Sequence, residues 1–360
     1  MGERIRIGVI GAGSISDMHL NSYAESDEAE LIAICDLNEE RAKKKAALYS
    51  AKRTYVNYKD LLADPEIDAV SICTWNNSHA EITIDALHAG KDVLVEKPLT
   101  TSVEKALKVE EAVKETGKKL QVGFVRRYAS NTELIKTFVD QGDLGDIYYA
   151  RGVTLRRLGN PGGWFADKER SGGGPLLDVG IHVIDVLWYL MGRPKVKSIS
   201  GNVYSHLGNR ANVEHKSFYK AADYDPTKNS VEDFANALIR FENGASMSVD
   251  VSYTIHAEKD EVSAKLYGTK GGAVLEPKLE LVSEKYNTML NILPQVDTTT
   301  LDVRQAFQNE IDWFLKVCQG QEETRSPVED GIEMMKILCG IYEASEQQKE
   351  IVFEEFPHSV

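Results

Sequence analysis

The chain has 360 residues, with 56 Asp and Glu against 42 Lys and Arg, and a formal net charge of -14. That length suggests about two domains, each able to bury its own core without disulfides or a structural metal. The acidic balance excludes a nucleic-acid binder, which needs surplus Lys and Arg facing phosphate, and disfavours anionic membrane surfaces. The opening residues Met1–Arg6 hold no apolar run of signal-peptide length. The Met1-Gly2 start, a conceivable lipid-attachment signal, leads straight into a strand instead. No run of 18 apolar residues occurs. Cys35, Cys73, Cys318 and Cys339 include no C-x-x-C pair and sit in apolar contexts, so they read as reduced thiols of a cytoplasmic protein.

In chain order, Ile5–Ile10 predicts a first strand and Ser14–Ser26 a helix after Gly11-Ala12-Gly13. Glu30–Cys35 predicts a second strand, Asn38–Tyr49 a helix, and Tyr58–Ala63 a short helical turn. Further strands fall at Ala69–Thr74, Asp92–Val95 and Leu120–Phe124, separated by helices at Ala80–Ala89 and Val103–Thr116 that stop at Gly90 and Gly117. Strands alternating with helices of this length imply βαβ units and a doubly wound parallel sheet. Residues 1–125 are thus an expected dinucleotide-binding domain, and 126–360 a second α/β domain. In the latter, Ile147–Leu155, Val196–Tyr204, Phe234–Phe241, Ala245–Tyr253 and Glu261–Tyr267 read as strands, with a hairpin around Asn243-Gly244. Val303–Gln319 and Glu329–Gln347 read as amphipathic helices covering a sheet. Gly268-Thr269-Lys270-Gly271-Gly272 lacks phosphate-loop spacing and reads as a turn between strands.

The first strand–turn–helix carries the clearest chemistry. Gly11 permits a tight turn, and Gly13 lets backbone approach a pyrophosphate. The backbone from Ser14 and Ile15 into the helix then offers N–H groups and a positive dipole end to phosphate. Ser16 stands where a third glycine is usual. Asp36 ends the second strand, where a carboxylate accepts from ribose hydroxyls and repels a 2′-phosphate. The cofactor expected is therefore NAD, with NADP not excluded by Leu37 and Asn38.

Two more strands deliver polar residues to the same carboxyl edge: Thr74-Trp75-Asn76-Asn77-Ser78-His79, and Glu96-Lys97-Pro98. Thr74, Asn76, His79, Glu96 and Lys97 join the expected cofactor contacts. Proline after Lys97 restricts that lysine and makes a cis peptide feasible.

Leu176–Met191 is apolar at nearly every position, so it predicts a helix buried all round and ending at Gly192. Asp178, His182 and Asp185 interrupt it at spacings that put them on one face. Buried ionisable groups are costly unless paired or used. Asp178 could polarise His182 as a general base, or the pair could be a satisfied core histidine. Metal ligation is a third reading, but no third ligand beyond Asp185 is evident, and no metal is expected.

Together these residues resemble the glucose–fructose oxidoreductase / inositol 2-dehydrogenase / MocA (Gfo/Idh/MocA) family. The resemblance rests on Gly11-Ala12-Gly13, Asp36, Thr74-x-Asn76-x-x-His79, Ala89-Gly90-Lys91, Glu96-Lys97-Pro98-Leu99, Gly123-Phe124-x-Arg126-Arg127, and Gly172-Gly173-Gly174 through Asp178-x-x-x-His182. It implies a Rossmann domain joined to an α/β domain with a large, open, mostly antiparallel sheet. It also implies a nicotinamide cofactor, a sugar or polyol substrate, and a dimer or tetramer. Lys97, Asp178 and His182 match the family's catalytic lysine, aspartate and histidine. Trp75 departs from the pattern, where proline commonly follows the threonine. Arg127 and Trp164 are further expected substrate contacts, Trp164 by stacking on a sugar face. The leading function is hydride transfer between the nicotinamide and a secondary hydroxyl. The alternatives are a redox-neutral NAD-dependent glycosidase and a non-catalytic NAD-binding regulator.

Overall fold

The structure, a computed structural model, describes residues 4–353 apart from Ala211 and Ala222. Met1 and Gly2, weighed above for a lipid signal, lie outside the described residues. The chain divides into two compact units.

The first unit runs to Ala129 and includes Asp302–Met335. Its six strands are β1 (Ile5–Ile10), β2 (Ala29–Cys35), β3 (Arg53–Tyr55), β4 (Ala69–Ile72), β5 (Asp92–Glu96) and β6 (Leu120–Gly123). All pair in parallel, in the order β3-β2-β1-β4-β5-β6. This is the doubly wound order, whose switch point falls between β1 and β4. Ile7, Val9, Val70, Ile72, Val93 and Val95 are fully buried, as strands covered on both faces require. Helix α1 (Ser16–Glu25) follows β1, and helix α2 (Glu39–Tyr49) follows β2. The side chain of Asn38 caps α2 by accepting from the Arg41 N–H. Lys91, part of the Ala-Gly-Lys segment, turns inward and donates to the carbonyls of Asp64 and Ile67 at 2.8 and 2.7 Å.

A single domain break at residue 125 does not describe the chain. The helix Val303–Cys318 belongs to the first unit, where Phe314 and Leu315 are fully buried in the same cluster as Ile7, Val9 and Leu20. Its apolar stripe covers the parallel sheet rather than the second one.

The second unit comprises Ser130–Leu301 with the chain from Lys336 onward. Its strands are β7 (Ile147–Leu155), β8 (Val196–Tyr204), β9 (Phe234–Phe241), β10 (Ser246–Ser252), β11 (Glu261–Gly268), β12 (Gly271–Glu276), β13 (Glu280–Lys285), β14 (Thr288–Ile292) and β15 (Ile351–Val352). They form one open sheet, β14-β13-β12-β11-β7-β10-β9-β8-β15, antiparallel except between β7 and β10. The register aligns Leu155 with both Ser252 and Glu261, and Phe234 with both Ser252 and Tyr204. The loops after Leu155, Tyr204 and Ser252 therefore leave from one edge. Residues 269–270 turn between β11 and β12, as expected.

The helical stretch Lys168–Leu190 is long and apolar enough to cross a membrane by length and composition alone. However, 83% of its window is buried inside the protein, which makes it a core helix. Its last section, Ile181–Leu190, packs on β7 at Gly152, where an added Cβ would meet Val183 at 2.8 Å.

Candidate active site

In the first unit the glycine turn is specified atom by atom. Gly11 has φ +94°, and a Cβ there would meet the Cys73 carbonyl oxygen at 2.5 Å. Both the backbone region and the close approach demand glycine. Its N–H donates to the Cys35 carbonyl at 2.8 Å, tying the turn to β2. Gly13 differs: nothing lies within 4 Å of an added Cβ. The turn leaves open space there, beside the N-terminus of α1, as a pyrophosphate site needs.

Asp36 stands at the end of β2 and is buried. One carboxylate oxygen accepts from Ala12 N–H at 2.7 Å. The other accepts from Asn38 N–H and the Arg41 guanidinium, each at 2.8 Å. The expected ribose carboxylate thus also braces the glycine turn. Lys45 completes the brace from α2, reaching the Gly13 carbonyl at 2.6 Å and Ser16 Oγ and Asp17 at 2.8 Å. Lys45 had no sequence signal, because a lysine on a charged helix looks like solvated surface.

At the ends of β4 and β5, Thr74 and Lys97 are half-buried and reachable. Ser78 Oγ donates to Thr74 Oγ1 at 2.8 Å, and Asn76 is buried in the short helical turn Asn76–Ser78. Trp75 adopts φ -71° and ψ 147°, a conformation proline itself favours. Proline could adopt the same backbone angles, and Trp75 adds a partly exposed indole. Lys97–Pro98 is a cis peptide.

His79 and Glu96 require correction as direct cofactor contacts. His79 is wholly buried, with Nδ1 2.8 Å from the Pro98 carbonyl and Nε2 3.1 Å from the Thr74 carbonyl. Burial is the main influence on its imidazole and holds the pKa below the ordinary value. Glu96 points inward to His19 Nε2 at 2.8 Å. The His79 side chain joins the two loops, and the Glu96 side chain ties the end of β5 to helix α1.

Arg127 is corrected too. Its guanidinium is fully buried, donates to the Arg325 carbonyl at 2.6 Å, and pairs with Asp330. It also lies over the Phe124 ring, 4.8 Å from the centroid. No part of it is presented to a substrate.

In the second unit, the long apolar helix begins with one π-helical turn, Leu176–Gly180, before Ile181–Leu190 continues as α-helix. The wider turn departs from the uniform 3.6-residue spacing expected between Asp178 and His182. Both are half-buried, while Asp185 is buried. Tyr253, just past β10, donates its hydroxyl to Asp178 Oδ2 at 2.9 Å. Burial first, and the Asp178 charge second, push its phenol well above the ordinary range, so it stays a donor. Glu232 caps the helix start, accepting from Gly174 N–H at 2.9 Å, Leu176 N–H at 3.2 Å and the Tyr342 hydroxyl at 2.7 Å. The glycines permit this closeness: a Cβ on Gly174 would meet the Glu232 carbonyl at 2.6 Å, and one on Gly173 would strike Tyr342. Tyr253, Glu232 and Tyr342 were missed, since each is remote in sequence from the residue it holds. Trp164 is half-buried and lies against Phe165, with ring centroids 3.9 Å apart and planes tilted by 30°. Among the described residues, no group of three or more His, Cys, Asp and Glu is placed to hold a metal ion.

The parallel sheet, the open glycine turn and Asp36 define an NAD-binding oxidoreductase. Residues 5–124 match the family described as "Oxidoreductase family, NAD-binding Rossmann fold", and residues 132–274 match the "GFO/IDH/MocA C-terminal domain". The chain belongs to the Gfo/Idh/MocA family. It is 30% identical to D-glucoside 3-dehydrogenase of Escherichia coli strain K12, covering 95% of each chain. It is also 30% identical to myo-inositol 2-dehydrogenase of Thermotoga maritima, covering 74% of each. A solved structure of levoglucosan dehydrogenase with NADH and L-sorbose has the same fold, with a TM-score of 0.84 at 22% identity, over 99% of this chain and 100% of that one.

Proposed function

We propose that this NAD-dependent dehydrogenase oxidises a secondary ring hydroxyl of a sugar, glycoside or inositol, using Lys97, Asp178 and His182. The observation that carries the reading is the grip on Asp178. A half-buried carboxylate on an apolar, Glu232-capped helix is held by a buried tyrosine, and His182 follows one turn later. A folding role alone would be better served by apolar side chains. The relatives named above act on sugars, glycosides and inositols, which supports the substrate class.

The residues of the first unit suit NAD. The open face at Gly13 and the α1 N-terminus receive the pyrophosphate, and Asp36 receives the ribose hydroxyls. NAD, when bound, supplies the hydride acceptor. His182 takes the hydroxyl proton on its imidazole, directly or through Lys97. Asp178 orients that imidazole and stabilises its cationic form, as an aspartate partner does for a general base. The Lys97 ammonium stabilises the alkoxide developing on the substrate oxygen. Trp164 supplies an apolar face for the ring. The enzyme is cytoplasmic and a homo-oligomer on this reading. No disulfide joins its four cysteines, and the outer strand β14 leaves Met289, Leu290 and Ile292 exposed at a sheet edge.

The test is nicotinamide absorbance against glucosides, anhydrosugars, free aldoses and inositols, with NAD and with NADP. NADH formation with one class identifies the substrate. Tight NADH binding with no turnover across all classes would contradict the dehydrogenase assignment.

A further inference from the structure

A chain of hydrogen bonds runs through the interior of the first unit to the backbone of Lys97. The Tyr23 hydroxyl lies 2.7 Å from Ser71 Oγ, which lies 3.2 Å from His19 Nδ1. His19 Nε2 lies 2.8 Å from Glu96 Oε1, and Glu96 Oε2 accepts from the Lys97 N–H at 3.2 Å. The chain links α1, β4 and the end of β5. His19 and Ser71 are 0% exposed, Tyr23 2% and Glu96 5%. Phe307 closes the other side of His19, with ring centroids 5.6 Å apart.

His19 and Glu96 form a buried hydrogen-bonded pair, which is an ion pair when the imidazole is protonated. Burial alone would lower the His19 pKa, but its interactions with Cys73 and with the Glu96 carboxylate raise it well above its ordinary value. Burial pushes Glu96 up, yet the His19 hydrogen bond and charge, with lesser help from Lys97 and His79, hold it below 4.5. Burying such a pair is a poor way to stabilise a fold, since packed apolar side chains would do as well or better. What the pair does accomplish is geometric. Glu96 reaches past its own strand to fasten the next amide, and His19 prevents Glu96 from turning elsewhere. The same helix that opens at the cofactor turn thereby fixes the backbone that carries the Lys97 ammonium.

We propose that His19 and Glu96 are positioning residues for Lys97, acting on the reaction through its backbone and touching neither substrate nor cofactor. The proposal rests on the reading of Lys97 as the residue that stabilises the alkoxide.

The test compares His19→Ala, His19→Gln, Glu96→Gln and Lys97→Ala in the full-length enzyme. The measurements are kcat, KM, the Kd for NADH by fluorescence, and Tm. Misplacing a catalytic group by an ångström costs up to about 100-fold in rate. His19→Ala should therefore lower kcat by roughly 10- to 100-fold, with the NADH Kd nearly unchanged. His19→Gln, whose amide N–H can still reach Glu96, should recover most of that loss. Glu96→Gln preserves shape and serves if His19→Ala does not fold; it should lower kcat and spare NADH affinity. In a Lys97→Ala background, His19→Ala should cost nothing further in residual turnover. Full kcat in folded Glu96→Gln and His19→Ala would overturn the proposal. So would an equal loss of kcat and NADH affinity, which would mark a general defect of the fold. Normal turnover in Lys97→Ala would instead sink the reading of Lys97, and this proposal with it.

Discussion

Tyr253 holds Asp178: its buried hydroxyl donates to Oδ2 at 2.9 Å, from a residue just beyond β10 to one in the π-helical turn. The two are 75 positions apart, so only the assembled sheet brings them together. A hydrogen bond to a charged group contributes about 1.5–3 kcal/mol. Tyr253→Phe should accordingly lower kcat by roughly 10- to 100-fold, because Asp178 loses its anchor and, on the proposed mechanism, orients His182 less well. NADH affinity should not change, since Tyr253 and the cofactor turn belong to different units. Steady-state kinetics alongside a fluorescence titration checks both.

The two glycines of the cofactor turn make opposite predictions. Gly11→Ala forces a left-handed residue and a clash with the Cys73 carbonyl. It should destabilise the ligand-free protein by at least about 1–3 kcal/mol. Gly13→Ala meets nothing within 4 Å. It should leave the Tm of the ligand-free protein almost unchanged while blocking the pyrophosphate and weakening NADH binding. Thermal melts with and without NADH separate the two outcomes.

Asp36→Ala removes the acceptor for Ala12, Asn38 and Arg41 together. Affinity for NAD should fall by about 10-fold or more, in line with the loss of a charged hydrogen-bond partner. Discrimination against NADP should shrink, because Arg41 is released from its carboxylate and the repulsion of a 2′-phosphate is gone. Kd values for NADH and NADPH in wild type and variant test this. An unchanged ratio would speak against Asp36 as the ribose ligand.

Arg127→Met leaves Asp330 buried without its guanidinium partner. Breaking a buried pair from one side costs about 3–5 kcal/mol. Chemical denaturation should show that loss, while KM for substrate in the remaining folded enzyme stays near wild type. A selective rise in KM without destabilisation would restore Arg127 to the substrate site.

The contrast between Arg127 and Lys45 shows what the sequence could carry. The alternation of apolar strands with capped helices marked the parallel sheet, and the glycine turn with Asp36 marked the cofactor edge. Both signals are local. The roles of buried charged residues are not. Arg127 reads as a free cation until Asp330, 203 positions away, is seen beside it. Lys45 reads as surface until it is seen to reach Gly13. The hairpin β13–β14 escaped notice for another reason. Its turn, Tyr286-Asn287, has both residues at positive φ, a tight hairpin geometry usually marked by Asn-Gly. Strand β14 is exposed along its whole length, so it shows no buried alternation.

The measurement closest to the central claim is a single-turnover reaction with saturating NAD and a substrate found in the absorbance survey. It compares wild type with Lys97→Ala and His182→Ala. The account predicts that both variants bind NADH with near wild-type affinity and form NADH at least about 100-fold more slowly, the scale of general acid–base catalysis. NADH formation at the wild-type rate in either variant would contradict it.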